Sequence, residues 1–102
     1  RMKLLIVTVV DEFHKEAMQL FKKAHIERFS GSEIDGYKEA PSFLMNSSWF
    51  PSERGGAESN MYFSFTEETK IDTFFELVKA FNQTLETDNP IRAIVVPIEK
   101  HI

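Results

Sequence analysis

The 102-residue sequence contains no cysteine, so it offers no disulfide, no thiolate nucleophile and no cysteine-ligated metal centre. It also has no apolar run close to the about 20 residues that a membrane-spanning helix needs. A signal-peptide pattern is missing too. These absences predict a protein of the reducing cytoplasm that does not insert into a membrane.

Clustered positive charge is missing as well. Lys and Arg together number 12 against 16 Asp and Glu, and the formal net charge is −4. Proteins that bind nucleic acids gather Lys and Arg on one surface, where these residues neutralise phosphates. Because the basic residues are dispersed along this chain, the sequence predicts no nucleic-acid partner.

The sequence also lacks recognisable catalytic and metal motifs. It has neither a Walker-type phosphate loop nor a Ser-His-Asp spacing. His14, His25 and His101 are too scattered for a local metal motif, although His25 and His101 could meet across the subunits of an oligomer. Glu33 and Asp35 form a carboxylate pair on a weak strand, where such groups are usually solvated. The sequence therefore predicts a protein that is not an enzyme.

The hydrophobic content, in contrast, is sufficient for one folded domain over residues 1–102. Hydrophobic residues make up 42% of the chain and include ten Phe, and the length is close to the commonest domain size. Apolar runs typical of strands alternate with apolar stripes at helical spacing. These patterns predict strands at residues 3–10, 28–38, 59–65 and 91–98, and helices at residues 12–25 and 68–84.

The order of these elements predicts the fold class. A βαββαβ order in a compact domain gives an α+β ferredoxin-like sandwich, in which two helices cover one face of a four-stranded antiparallel sheet. Asp11 follows the first strand and is predicted to cap the first helix. Pro97 cannot donate to a strand ladder, so the sequence places it at an edge or a strand end.

The second and third strands carry more specific patterns. Gly31 predicts a bulge or a close approach of another group to the backbone. Residues 59–65 alternate with period two, which predicts one face towards the core. The two alternating sets are Met61, Phe63 and Phe65 on one side and Asn60, Tyr62 and Ser64 on the other.

Two strands have apolar residues on both of their faces, although two helices cover only one face of the sheet. Each buried Leu, Ile or Val contributes roughly 1.5–3 kcal/mol, so an uncovered apolar face favours association. We therefore predict a homo-oligomer that packs through the open sheet face. The residues on the two sides are Leu5, Val7 and Val9 against Leu4, Ile6 and Val10 in the first strand, and Ile94 and Val96 against Ile91 and Val95 in the last.

A long connection at about residues 40–58 joins the second strand to the third. Loops of nearly twenty residues are usually functional or disordered, and buried aromatic anchors are enriched at binding hot spots. Two outcomes stay open for its aromatic rings: they line a cleft against a neighbouring subunit, or they anchor a protein partner. The predicted docking residues of this loop are Trp49, Phe50, Arg54 and the hinge pair Gly55 and Gly56.

Two segments resemble the PII-type signal-transduction proteins, the family of nitrogen regulatory protein PII. HIERFSGSEIDGYK at 25–38 is similar to the family's segment after the first helix, where a glycine-aromatic pair opens a long loop. IRAIVVPIEK at 91–100 is similar to the final core strand. The resemblance implies a trimer of ferredoxin-like subunits that binds adenine nucleotides in clefts between subunits. It also implies a long loop that docks on a protein partner such as a membrane transporter.

The resemblance implies four ligand-binding positions in this chain. Ser30 matches a hydroxyl position of the adenine pocket, and Gly36 matches the glycine at the base of the loop. Arg92 falls where the family has a basic residue for phosphate, and Lys38 lies near enough to the loop base to reach a phosphate. The chain departs from the family at residues 85–90, where LETDNP replaces a glycine-rich phosphate turn.

Two other interpretations remain open at this point. CutA-type proteins share the fold and the trimer, so the chain resembles them too. That resemblance implies a metal-responsive protein, linked to metal tolerance or efflux, which uses histidines and carboxylates. A small ferredoxin-like enzyme is disfavoured, since no acid-base constellation is evident.

Overall fold

The computed structural model describes residues 1–34, 59–86 and 89–102. Strand β1 spans Met2–Val10 and leads through a 3-10 turn, Asp11–Phe13, into helix α1, His14–Lys23. Strands β2, Ser30–Ile34, and β3, Ser59–Glu67, follow. Helix α2, Glu68–Gln83, and strand β4, Arg92–Pro97, complete the chain.

The four strands form one antiparallel sheet in the order β2-β3-β1-β4. Both helices contribute to a single core on one face of that sheet. The ferredoxin-like α+β prediction is therefore confirmed, and Pro97 ends the edge strand β4 as predicted. The core residues of the two helices and of β1 are Ala17, Leu20, Phe21, Ile71, Phe74, Val78, Leu5, Val7, Val9 and Val10.

A stack of aromatic rings forms the centre of this core. The Phe21 ring lies 4.7 Å from that of Phe74 and 4.4 Å from that of Phe29, with both pairs close to parallel. Tyr62 of β3 meets Phe21 and Phe29 edge-on. Because the rings come from both helices and from the sheet side, the stack fixes how the helices lie on the sheet.

The start of helix α1 differs from the prediction. Asp11 does not cap the helix, because the chain makes a 3-10 turn first and no side chain bonds the helix amides there. The Asp11 carboxylate instead accepts a hydrogen bond of 2.6 Å from the side-chain amide of Asn60 on β3. The Asp11 carboxylate, which the local sequence predicts to cap the helix, thus bonds to β3 instead.

Helix α1 ends in a Schellman motif. The amide of Ile26 donates to the carbonyl of Phe21, and the amide of His25 donates to that of Lys22. His25 adopts the left-handed conformation, with φ of 62°. This turn buries Ile26 in the core and directs the chain towards β2.

The structure decides which of the two alternating sets of β3 residues faces the core. Tyr62, Ser64 and Thr66 point to the helices and are buried, whereas Phe63 and Phe65 are 39% and 55% exposed. The register is the cause: Ser64 pairs with Leu5, which faces the helices. The small side chain of Ser64 leaves room for the ring stack, and Phe63 and Phe65 lie on the other face.

The opposite sheet face has no helix upon it among the described elements. Val10, which the strand pattern assigns to this face, is nevertheless buried. The remaining side chains form an apolar surface, which we call the open face. It consists of the partly buried Leu4 and Ile6 and the exposed Met2, Phe63, Phe65, Ile94 and Val96.

Candidate functional site

Only two of the predicted site residues lie within the described ranges, namely Ser30 and Arg92. The others fall outside those ranges and stay predictions. They are Gly36 and Lys38 of the ligand set, and Trp49, Phe50, Arg54, Gly55 and Gly56 of the docking loop.

Ser30 and Arg92 lie on the open face at opposite edges of the sheet. Ser30 pairs with Phe63, which pairs with Ile6, which pairs with Ile94. Arg92 is two positions before Ile94 on the same face. Strands are about 4.8 Å apart, so three spacings alone separate the two residues by about 14 Å. One copy of the chain therefore does not bring them together.

Ser30 lines a groove that runs beside β2 and β3, which we call the β2–β3 groove. Its volume is about 410 Å³. The rings of Phe63 and Phe65 are 6.3 Å apart in an edge-to-face arrangement and supply its apolar wall. The hydroxyl of Ser64 donates a 2.6 Å hydrogen bond to the carbonyl oxygen of Arg28. This bond holds the segment before β2 against β3. The remaining lining residues are Glu27 and Phe29.

A smaller cavity of about 220 Å³ adjoins this groove at the end of the sheet where β1 begins. Glu27, Arg28 and Phe65 line both spaces. Sequence reasoning missed this cavity, since no motif connects its members. We call it the charged cavity, and its other lining residues are Met2, His25, Thr66, Glu67 and Lys70.

Arg92 has an unsatisfied donor. Its Nε is buried and has no hydrogen-bond partner in the part of the chain that the structure describes. Arg92 sits opposite Thr8 in the β1–β4 ladder. A buried donor without an acceptor costs about 1–3 kcal/mol, so native proteins usually supply one. An anion or a carbonyl from a second molecule would satisfy this nitrogen.

A polar network ties the start of α1 to the start of β3. The side-chain amide of Asn60 donates to Asp11, and the Tyr62 hydroxyl lies 2.7 Å from Nδ1 of His14. Burial and then the negative charge of Asp11 raise the pKa of Tyr62, so its hydroxyl keeps its proton. The close approach predicted at Gly31 is present: the Tyr62 ring occupies the space where a Cβ would stand.

We expect Tyr62→Phe to lower the free energy of unfolding by about 0.5–1.5 kcal/mol, because only the hydroxyl bonded to His14 is lost. Urea denaturation measures the change. His14→Ala and the double variant complete a cycle, in which the two effects should be non-additive by about 0.5 kcal/mol or more. Additive effects would contradict a direct Tyr62–His14 interaction.

Two further observations concern metals and membranes. Within residues 1–34, 59–86 and 89–102, no group of three or more His, Cys, Asp or Glu side chains is placed to hold a metal ion. Among the same residues, neither helix combines the length and the apolar character needed to cross a bilayer.

The sequence matches no family profile and no curated protein. Solved structures do match. A PII-like signaling protein of Thermus thermophilus has a TM-score of 0.66 at 9% identity, over 95% of this chain and 86% of that one. CPII of Thiomonas intermedia, bound to ADP, AMP and acetate, has a TM-score of 0.68 at 13% identity, over 95% and 85%.

The same CPII, a nitrogen regulatory PII-like protein, has also been solved with ADP, AMP and bicarbonate. That structure has a TM-score of 0.60 at 12% identity, over 99% of this chain and 96% of that one. At such identities the likeness establishes the fold. The resemblance seen in the sequence is confirmed at that level: this chain has the fold of the PII-like signalling proteins.

Proposed function

We propose that this protein is a PII-like regulatory protein of the cytoplasm and not an enzyme. It assembles as a homotrimer through the open face and binds an adenine nucleotide in clefts between subunits. Its long loop, at about residues 40–58, acts on a protein partner such as a membrane transporter. The observation that carries the proposal is that Ser30 and Arg92 stand on one apolar face at its two opposite edges.

The open face supports the assembly. Five large apolar side chains on this face are exposed in the single chain, and Ile94 and Phe63 are both 39% exposed. Contiguous apolar patches of this kind usually mark interfaces, because burying each large side chain contributes roughly 1.5–3 kcal/mol. When copies pack through this face, the Ser30 edge of one copy can meet the Arg92 edge of the next.

The β2–β3 groove supports a planar ligand with polar edges. Phe63 and Phe65 offer exposed ring faces for a heterocycle to pack against, and the Ser30 hydroxyl can donate and accept hydrogen bonds. Arg92 of a neighbouring copy would add a cation and the unsatisfied Nε. CPII, which shares the fold, has been solved with ADP and AMP. An adenine nucleotide therefore fits both the chemistry and the architecture.

Titration calorimetry with AMP, ADP and ATP tests the proposal on the full chain. We expect binding below millimolar concentration, and we expect Arg92→Gln to weaken it by about tenfold, since a charge-assisted hydrogen bond contributes about 1.5–3 kcal/mol. Lys79→Gln is the matched control, because Lys79 lies on the outer side of α2 and pairs with Glu76.

Three outcomes of this titration would count against the proposal. Absence of nucleotide binding at millimolar concentration would rule out the nucleotide ligand. Equal losses in Arg92→Gln and Lys79→Gln would rule out a specific role for Arg92. Binding of a divalent metal without any nucleotide would favour the CutA-like alternative instead.

A further inference from the structure

We propose that Asn82, at the end of helix α2, is a positioning residue for the ligand site. It fixes the backbone next to Arg92, so that the Arg92 guanidinium meets the phosphate of a nucleotide bound in the β2–β3 groove of the next copy. This inference rests on the nucleotide-binding function proposed above and deepens it. Asn82 does not touch the ligand and acts only through Arg92.

The side chain of Asn82 makes two hydrogen bonds to the backbone of one residue, Ile91. Its amide nitrogen donates to the Ile91 carbonyl oxygen at 2.9 Å, and its carbonyl oxygen accepts from the Ile91 N–H at 3.1 Å. Ile91 is also buried, with 2% of its surface exposed. A residue that is held by both of its backbone polar groups and by burial has little freedom to shift.

Arg92 needs this support because it is the first residue of an edge strand. Strand β4 spans Arg92–Pro97 and lies at the edge of the described sheet, where its ladder partner is β1. The ends of such strands open easily when nothing else holds them. With Ile91 fixed by Asn82, the ladder begins at Arg92 opposite Thr8, and the arginine side chain stands on the open face.

The backbone just before Arg92 offers no free donor to an anion. Pro90 has no N–H, and the N–H of Ile91 is bonded to Asn82. Glycine-rich turns, in contrast, bind phosphate through backbone N–H groups that no side chain obstructs. The phosphate of the ligand therefore depends on a side chain at this end of the sheet.

The Arg92 side chain is suited to that role. Arg92 is the only charged residue of β4, and its Nε is buried without a partner in the described part of the chain. A guanidinium binds two phosphate oxygens at once when its plane is correctly oriented. The strength of binding thus depends on where the backbone places Arg92, which is what Asn82 controls.

The end of α2 gives Asn82 a rigid support. One residue before it, the Phe81 ring packs edge-on against the buried Phe13, with 5.9 Å between ring centroids. Thr84 closes the helix, since its backbone N–H and its hydroxyl both donate to the Phe81 carbonyl oxygen. The core thus fixes the helix end that carries Asn82, and Asn82 in turn fixes the start of β4.

Titration calorimetry with AMP and adenosine on the full chain tests this inference through a double-variant cycle. We expect Asn82→Ala to weaken AMP binding by about three- to tenfold, and by no more than Arg92→Gln does. Adenosine has no phosphate, so its affinity should stay unchanged. In the Arg92→Gln background, Asn82→Ala should cause no further loss of AMP binding. Gln83→Ala removes the neighbouring, exposed amide and should change neither affinity.

A second variant separates positioning from folding. Asn82→Ala loses two hydrogen bonds and is expected to be less stable, so circular dichroism must first show that it is folded under the conditions of the titration. If it is not, Asn82→Asp takes its place in the same cycle. Its carboxylate still accepts from the Ile91 N–H and loses only the bond to the Ile91 carbonyl oxygen.

The outcomes separate this inference from the proposed function. If the wild-type protein binds AMP and the Asn82 variant binds it equally well, the inference is wrong while nucleotide sensing stands. Additive losses from the Asn82 and Arg92 substitutions would also overturn it, and so would a parallel fall in adenosine binding, since both results indicate a purely structural role. If the wild-type protein binds no nucleotide, the inference and the proposed function are both wrong.

Discussion

Ile94→Glu is expected to convert the proposed homotrimer into a monomer that keeps its fold. Ile94 is 39% exposed on the open face of the single chain, so a carboxylate there remains solvated in the monomer. At an interface the same charge would be buried without a partner, which costs several kcal/mol per copy. The residue lies at the edge opposite Ser30, and the substitution leaves the β2–β3 groove intact.

Light scattering after size-exclusion chromatography measures the mass of wild type and variant. Gln83→Glu, at the exposed end of α2, adds the same charge away from the open face and should leave the proposed trimer intact. Circular dichroism should show the same helix content in all three proteins. A wild-type protein that is monomeric at every concentration would contradict the assembly, and so would a trimeric Ile94→Glu variant.

Phe74→Ala is expected to have the largest effect on stability. The Phe74 side chain is fully buried and stacks on Phe21 with 4.7 Å between ring centroids. Truncation leaves a cavity between α1 and α2, and such substitutions cost about 3–5 kcal/mol. Small domains are stable by only about 5–15 kcal/mol in total, so a large part of the stability would be lost.

Urea denaturation in the monomeric Ile94→Glu background measures this cost without the contribution of assembly. Phe65→Ala is the matched control, because it removes the same ring from an exposed position. We expect the control to change the free energy of unfolding by about 1 kcal/mol or less. Equal losses in the two variants would contradict the assignment of the core to the helix-covered face.

The distribution of binding groups explains why assembly and ligand binding are expected to depend on each other. The proposed site for the base lies in one copy, along the β2–β3 groove. Arg92 lies at the far edge of the sheet and can reach the groove only from another copy. A ligand that contacts both copies stabilises their association, and association in turn tightens ligand binding.

The order of the elements could be predicted from sequence because the signals are local. The continuous apolar run of β1 and the stripes of α1 and α2 repeat with the period of their own backbone, so each segment specifies its type by itself. The two apolar sides of β1 were visible in the same way. This pattern by itself predicts the open face, because it needs no information on tertiary contacts.

The faces of β3 show where local signals end. Both alternating sets of residues contain aromatic side chains, so period two identifies a strand and leaves its direction towards the core undecided. The register with β1 decides it, because Ser64 lies opposite Leu5 under the helices. Asp11 is similar: it has the residue type of a helix cap, and a contact with Asn60 takes its carboxylate.

Some residues of the candidate site could be predicted from the sequence, and others are found only in the tertiary structure. Sequence similarity pointed to Ser30 and Arg92 one by one, and nothing in the sequence pointed to Arg28 or Lys70 as a pair. Those two residues come from the connection before β2 and from the first turn of α2, which meet only when the sheet pairs and the helices pack. The sequence alone determined the elements and their apolar faces, since backbone periodicity is a local property. Only the tertiary structure decided which residues meet, since register and packing join segments that are far apart in the chain.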